Sequence, residues 1–220
     1  MYTIQIDQIT LLASTIIGFL IYNKINASYL KIFPFILLTR IFILILEKLF
    51  YKPTENNIPL YNALSIIEFI YFLYFFHEVI PSSKIKSIIK WLIVLLPIGC
   101  ILNIFMFQGI HTFHTYTFTF GSLILVICSA IYFVQIFQKA EIISLEKEPS
   151  FWLSIAILFY FTAINSIMGI INYAASLPKS ILIKMHGVLL TVNCLFYFLI
   201  VKAFLCQSNI QKFTRNSQQI

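Results

Sequence analysis

The chain predicts an all-α fold, a polytopic transmembrane bundle of seven helices, and three observations carry that expectation. Seven apolar stretches fill nearly all of its 220 residues, each near or above the ~20 residues that cross a hydrocarbon core. Of these residues 60% are hydrophobic and only 10% charged, where a soluble domain needs roughly 25% charge to cover its surface. Proline and lysine gather between the stretches, as loop and headgroup residues do.

The first stretch, Ile4–Tyr22, lacks the positive region of a signal peptide and carries Asp7, so it is expected to be retained. The second, Ile32–Tyr51, holds Arg40 and Glu47. A central Arg costs about 2.5–3.5 kcal/mol on the insertion scale, and each Ile, Leu or Phe returns roughly 0.3–0.6 kcal/mol. With 14 such residues between Ile32 and Phe50, the span is retained, and Pro34 falls in its expected first turn. The third stretch is Ile58–Val79, opened by Pro59 and closed by Pro81. The fourth, Ile88–Phe107, has Pro97 at mid-span near Gly99, which predicts a kink. Thr115–Phe137 is the fifth. The sixth, Phe151–Ala174, follows Pro149 with Ser150 as its expected N-cap. The seventh, Ile181–Cys206, follows Pro178, and residues 207–220 form a short polar tail expected on the cytoplasmic side. Seven spans leave no length for a second folded domain, so residues 1–206 read as one transmembrane domain.

The net charge of +7 would raise nucleic acid as a partner in a soluble protein. Here the Lys residues sit at helix ends, where they orient the chain and meet anionic headgroups. No Arg-rich strip interleaved with aromatics marks a nucleic-acid surface. With the N-terminus outside, the inner segments hold Lys24, Lys31, Lys84, Lys86, Lys90, Lys139, Lys147, Lys202, Lys212 and Arg215, and the outer ones hold Lys48, Lys52, Lys179 and Lys184. That excess favours N-terminus outside and C-terminus inside. Trp91 and Trp152 then share the inner interface.

Ionisable groups inside a membrane are expensive, so each is a functional candidate. Arg40 and Glu47 are seven residues apart and share one helix face. The third stretch carries Tyr61, Ser65, Glu68 and Tyr71 at helical spacing, with Asn62 beside them. The sixth carries Thr162, Asn165, Gly169 and Asn172, and the seventh His186, Asn193 and Tyr197. Arg40 and Glu68 both lie near mid-span in antiparallel neighbours, which predicts an intramembrane ion pair, because neither charge is tolerated alone in lipid. Pairing by itself would also explain both residues as a lock between two helices. Glu47, Tyr61, Asn62, Asn172, Lys184 and His186 fall in the outer half, and the inner half offers mainly Tyr, Phe and small residues. This describes a cavity open outward and closed below. The fourth stretch, polar only at Asn103, is expected to face lipid.

Weaker patterns have plainer readings. His111 and His114 have H-x-x-H spacing and with His186 would make three zinc ligands, but interfacial His residues are commonplace and no metal or other cofactor is expected. Lys184 lies too near the end of its span for a retinal-type Schiff base. Ser14-x-x-x-Gly18 and Gly187-x-x-x-Thr191 read as close-packing faces. The four Cys show no short C-x-x-C spacing and read as small packing residues. The inner loop Gln138–Ser150 alternates Lys and Glu and reads as a solvated helical extension. No H-E-x-x-H, G-x-S-x-G or Gly-rich phosphate loop occurs, so no catalytic residue is assigned and an enzyme is the remotest reading.

The segment YNALSIIEFIYFLYFF from Tyr61 to Phe76, the spacing of His186 and Asn193, and the Ala203-Phe204-Leu205-Cys206 ending together resemble a group of small bacterial seven-helix membrane proteins of the Bacteroidota type. The resemblance implies Asn62, Glu68, His186 and Asn193 as group-typical positions. It also implies the bacterial inner membrane and, since some members look like the membrane half of sensory systems, a sensing role with a separate signalling protein at the inner loops. The chain departs from those members in its short polar tail, with no output domain after it.

The residues expected to contact a ligand are Arg40, Glu68, Asn165, His186, Asn193, Asn62, Glu47 and Asn172. A receptor-like module reading a small ligand from outside is the leading expectation. A small or proton-coupled carrier with Glu68 titrating is the second, and a ligand-free helical scaffold or partner subunit the third. Apart from the bilayer and such a signalling protein, no partner or oligomeric state follows from the sequence.

Overall fold

Apolar runs without internal water have one economical backbone solution, the helix, which satisfies its own N–H and C=O groups. In the structure, a computed structural model, residues 5–50, 57–138, 145–171 and 178–217 are described, with side chains at 5–49, 57–138, 145–168 and 178–207. The helices are α1 (Ile6–Leu20), α2 (Ser28–Phe50), α3 (Ile58–Val79), α4 (Ser83–Asn103), α5 (Thr115–Gln138), α6 (Pro149–Ile171) and α7 (Lys179–Ser217). Six of them contain segments long and apolar enough to cross a membrane. The exception, α1, is apolar but has 15 residues, about 22 Å at ~1.5 Å per residue against ~30 Å of hydrocarbon.

Several boundaries differ from the sequence expectation. Because α2 begins at Ser28, Pro34 lies inside the helix and not in its first turn. Ser150 is not the N-cap of α6, because Pro149 already occupies the helix and its fixed φ suits a first helical position. The α4 helix runs on through Pro97 and passes at Asn103 into a π-helical turn, Ile104–Gln108. The polar tail is not separate from the last span, since α7 continues as helix to Ser217. Most of the loop Gln138–Ser150 lies outside the described residues; Leu145–Lys147 within it is a short 3-10 turn.

Two compact units divide the chain: Met1–Leu37 with Lys139–Ile220, and Leu38–Gln138. In the first, α7 packs against both α1 and α6. The buried face of α1 is Leu11, Ser14, Thr15 and Gly18. A Cβ at Gly18 would lie 2.9 Å from Pro34 Cγ and 3.0 Å from Phe204 Cε2, so the helix surface is flat there for lack of a side chain. The second small-residue face differs from expectation. Gly187 and Thr191 are exposed, and a Cβ at Gly187 would touch nothing within 4 Å.

In the second unit α3 is the central helix, packing on both α4 and α5. Half of its apolar window is buried, against a third in α2, α4 and α5. Phe69 of α3 fits against Gly121 of α5, where a Cβ would come within 2.8 Å of the ring. Small residues recur on that face of α5 as Ser122, Cys128 and Ser129, all buried. The hydroxyls of Ser122 and Ser129 donate to the carbonyls one turn back, Phe118 and Leu125, which meets their hydrogen-bonding need without water. Ile88, Trp91, Val94, Leu95, Ile98, Leu102 and Phe105 stay exposed around α4, the surface expected to meet acyl chains.

Candidate functional sites in the two units

The polar residues of α2 and α3 meet in register. Arg40 Nε donates to Glu68 Oε1, and both side chains are nearly buried, at 10% and 8% exposure. Seven residues further along α2, Glu47 accepts from the Tyr61 hydroxyl at 2.6 Å and from the Asn57 carboxamide. Seven residues is two helical turns, so stepping down α2 by seven matches stepping back along α3 by seven. One face of each helix carries both contacts. The charges of Arg40 and Glu68 offset each other where neither could be solvated by lipid.

A second cluster joins the start of α3 to the loop before α5, and sequence reasoning named only part of it. His114 is fully buried. One ring nitrogen, Nε2, lies 2.6 Å from Ser65 Oγ and the other, Nδ1, 2.9 Å from Thr117 Oγ1. Ser65 donates to Asn62 O at 2.9 Å, whereas Thr117 Oγ1 lies 3.3 Å from His114 O but 2.9 Å from Nδ1, so we assign the ring proton to Nε2, with Thr117 donating to Nδ1. Thr117 accepts from Asn103 Nδ2 at 3.2 Å, and Asn103 also donates to Gln108 Oε1 at 2.6 Å. Gln108 reaches back because the π-helical turn carries it there, and its amide donates to Thr115 at 2.9 Å. Asn62 closes the circuit, donating to Thr112 O at 3.0 Å and accepting from the His114 backbone N–H at 3.3 Å.

This network bears on the H-x-x-H spacing of His111 and His114. His114 spends both ring nitrogens on hydroxyls and has no lone pair to offer a metal, and burial holds its pKa down to about 4. His111 is exposed on the loop. Among the described residues no three His, Cys, Asp or Glu side chains gather as a metal site. Nor is Ser65–His114 a nucleophile–base pair, since in the assigned tautomer the imidazole donates to the serine oxygen instead of accepting from it.

The remaining candidates belong to the first unit. Asn193 of α7 is half-buried and donates to Asp7 Oδ2 of α1 at 3.0 Å. Asn165 of α6 is half-buried, and its Oδ1 is inaccessible and has no partner. His186 is exposed. Thr162, expected on the polar stripe of α6, is exposed as well. Asn172 lies outside the described residues. Asp7 is the residue that sequence reasoning missed as a site: its Oδ1 is also buried and without a partner. The near one-turn match of Thr10 with Cys194, 3.8 Å apart, would have been needed to see that α1 starts beside the middle of α7.

No protein-family model matches the chain, and the comparisons with curated proteins and with solved structures gave no match. Composition and helices therefore define its class: a multi-pass α-helical membrane protein whose surroundings are a lipid bilayer.

Proposed function

We propose that this protein is a receptor-like module of a bacterial cytoplasmic membrane, N-terminus outside, that binds a small ligand among the polar side chains of α1, α6 and α7. The observation that carries this reading is the pair of buried, unpartnered oxygens, Asp7 Oδ1 and Asn165 Oδ1. A buried polar atom without a hydrogen bond costs about 1–3 kcal/mol, and a ligand donor would remove that cost. The stripe on α7 supports an approach route, grading from exposed His186 through half-buried Asn193 to Tyr197 at 4% exposure. Ligand binding would bias how α1 and α6 pack on α7, and a separate protein would read the change at the cytoplasmic ends.

Arg40, Glu68, Glu47 and Asn62 take a different role in this reading. Each is engaged by a neighbour within its own unit, so they hold helices in register and do not bind the ligand. That engagement also favours a second reading, a scaffold whose polar groups serve only as glue between helices.

Thermal-shift screening of the purified protein against a small-molecule library separates the two. The receptor reading expects a compound that stabilises the wild type and Glu68→Gln by similar increments and fails with Asn193→Leu. A hit that depends on Glu68 instead would move the site to the second unit. If no compound shifts the wild type, the scaffold reading stands. Uptake of the hit into proteoliposomes would make the protein a carrier.

A further inference from the structure

The turn that joins α4 to α5 is mostly exposed, and one side chain anchors it. Across residues 105–117, His114 is the only buried one. Phe105, Met106 and Phe107 are 73%, 71% and 79% exposed. Gly109 turns the chain at φ 85°, a backbone setting that glycine reaches and leaves without steric cost. His114 ties this turn to α3 through its ring, which meets Ser65, and through its backbone N–H, which donates to Asn62 Oδ1. Every group around the ring is neutral. From α3 come Ser65 and Asn62, and from α4 Asn103 and the Cys100 thiol, both reaching Thr117. From α5 come Thr117 and the Phe118 ring, and from the turn the Phe113 ring at 5.0 Å. Glu68, one turn along α3 from Ser65, is spent on Arg40, and His111 is exposed. No carboxylate among the described residues bonds to the ring, and the N-terminal end of α5, where it stands, disfavours a cation.

We propose that His114 is a proton-operated latch: its neutral ring holds the α4–α5 turn on α3, and the turn opens when the ring takes up a proton from water. A second ring proton goes to Nδ1, where Thr117 now donates. To receive it, Thr117 must turn its hydroxyl to the His114 carbonyl, 3.3 Å away, and accept from the ring instead. The hydrogen bonds can be rebuilt in that way, but the charge stays buried without a counter-ion, and burial penalises it. Opening the turn into water removes the penalty. Burial holds the closed ring's pKa down to about 4, against about 6.5 for a ring in water. Opening therefore takes up a proton between those values, and each pH unit of acidification within them favours the open turn about tenfold. Above pH ~6.5 the latch is fully set. In the proposed orientation this turn faces outside, so the latch would answer to external acid. The latch itself depends neither on that orientation nor on the ligand reading.

The test is amide hydrogen exchange of the full-length protein in nanodiscs, from pH ~7 to pH ~4, corrected for the intrinsic pH dependence of exchange. Both faces then meet the same buffer. The His114 amide, bonded to Asn62, is the probe. Its protection is expected to fall about tenfold per pH unit below pH ~6.5. At every pH it should lie at least about tenfold below that of residues 156–164 in α6, the mark of a turn that opens by itself. His114→Gln, which has no titrating ring, should remove the slope, and His111→Gln should keep it. Protection that does not change with pH overturns the latch. So does an equal slope in His114→Gln, a slope lost in His111→Gln, or protection equal to that of α6, which means that the turn opens only with the whole fold. Should His114→Gln fail to fold, nitrogen-15 NMR of the wild-type imidazoles decides. A His114 ring that stays neutral down to pH ~4 supports the latch, and one that becomes charged near pH ~6.5 overturns it.

Discussion

At the scale of single residues, the consequential groups are those whose charge or hydrogen bonds have nowhere else to go. Breaking a buried ion pair from one side costs roughly 3–5 kcal/mol, because the abandoned charge remains buried. Glu68→Gln is therefore expected to lower thermal stability substantially, and Arg40→Met with Glu68→Leu to recover most of the loss, both read from melts in one detergent. His114 adds a pH dependence. Its pKa is about 4 in the fold and about 6.5 when unfolded, so the unfolded chain takes up a proton first as pH falls. The stability this neutral ring contributes is complete above pH ~6.5 and is lost progressively toward pH ~4. A melt series across that window should show it, and His114→Ala, which removes the titrating ring while Ser65 keeps Asn62 O and Thr117 keeps Asn103 as partners, should flatten it. The period of seven in Arg40 and Glu47, and in Tyr61 and Glu68, could be read in the sequence. The His114 network could not, because it depends on a π-helical turn returning Gln108 to Asn103, and nothing in the run of Ile104 to Gln108 announces a widened turn.

At the scale of helices, packing turns on where side chains are missing. Gly18 and Gly187 both sit in small-x-x-x-small patterns, yet only Gly18 has neighbours within contact of a built Cβ. Gly18→Leu is expected to cost about 1–3 kcal/mol by overpacking, while Gly187→Ala should be neutral or stabilise by up to ~1 kcal/mol through helix propensity. Equal losses at both positions in a melting assay would contradict this assignment of faces. Helix existence was plain from hydropathy, and α3 at Ile58–Val79 has the expected limits. The pairing of Asp7 with Asn193 was hidden. A lone acid near the start of an apolar stretch reads as a helix end in water, and only the offset of α1 along α7 places it beside Asn193. Such an offset between distant segments has no periodic trace in the chain.

At the scale of the molecule, polar groups serve two ends. In the unit Leu38–Gln138 the Arg40–Glu68 pair and the His114 cluster are bound by their neighbours and Gln135 Oε1 stays open; in the unit built from α1, α6 and α7, Asp7 Oδ1, Asn165 Oδ1 and Ser154 Oγ stay open. The proposed N-outside orientation rests on the lysine excess at one set of ends. A C-terminal fluorescent protein that matures only in the cytoplasm should be bright, and a C-terminal alkaline phosphatase inactive; the reverse pattern would invert the membrane placement and the side from which a ligand enters.

The division between engaged and open polar groups is tested most directly by comparing the melting temperatures of Glu68→Gln and Asp7→Asn with wild type in the same nanodiscs, without added ligand. At about 2–4 °C per kcal/mol for a chain of this size, Glu68→Gln is expected to melt roughly 6 °C or more below wild type. Asp7→Asn keeps an oxygen for Asn193 and breaks no ion pair among the described residues, so it should melt close to wild type. A large fall for Asp7→Asn with little change for Glu68→Gln would contradict the account.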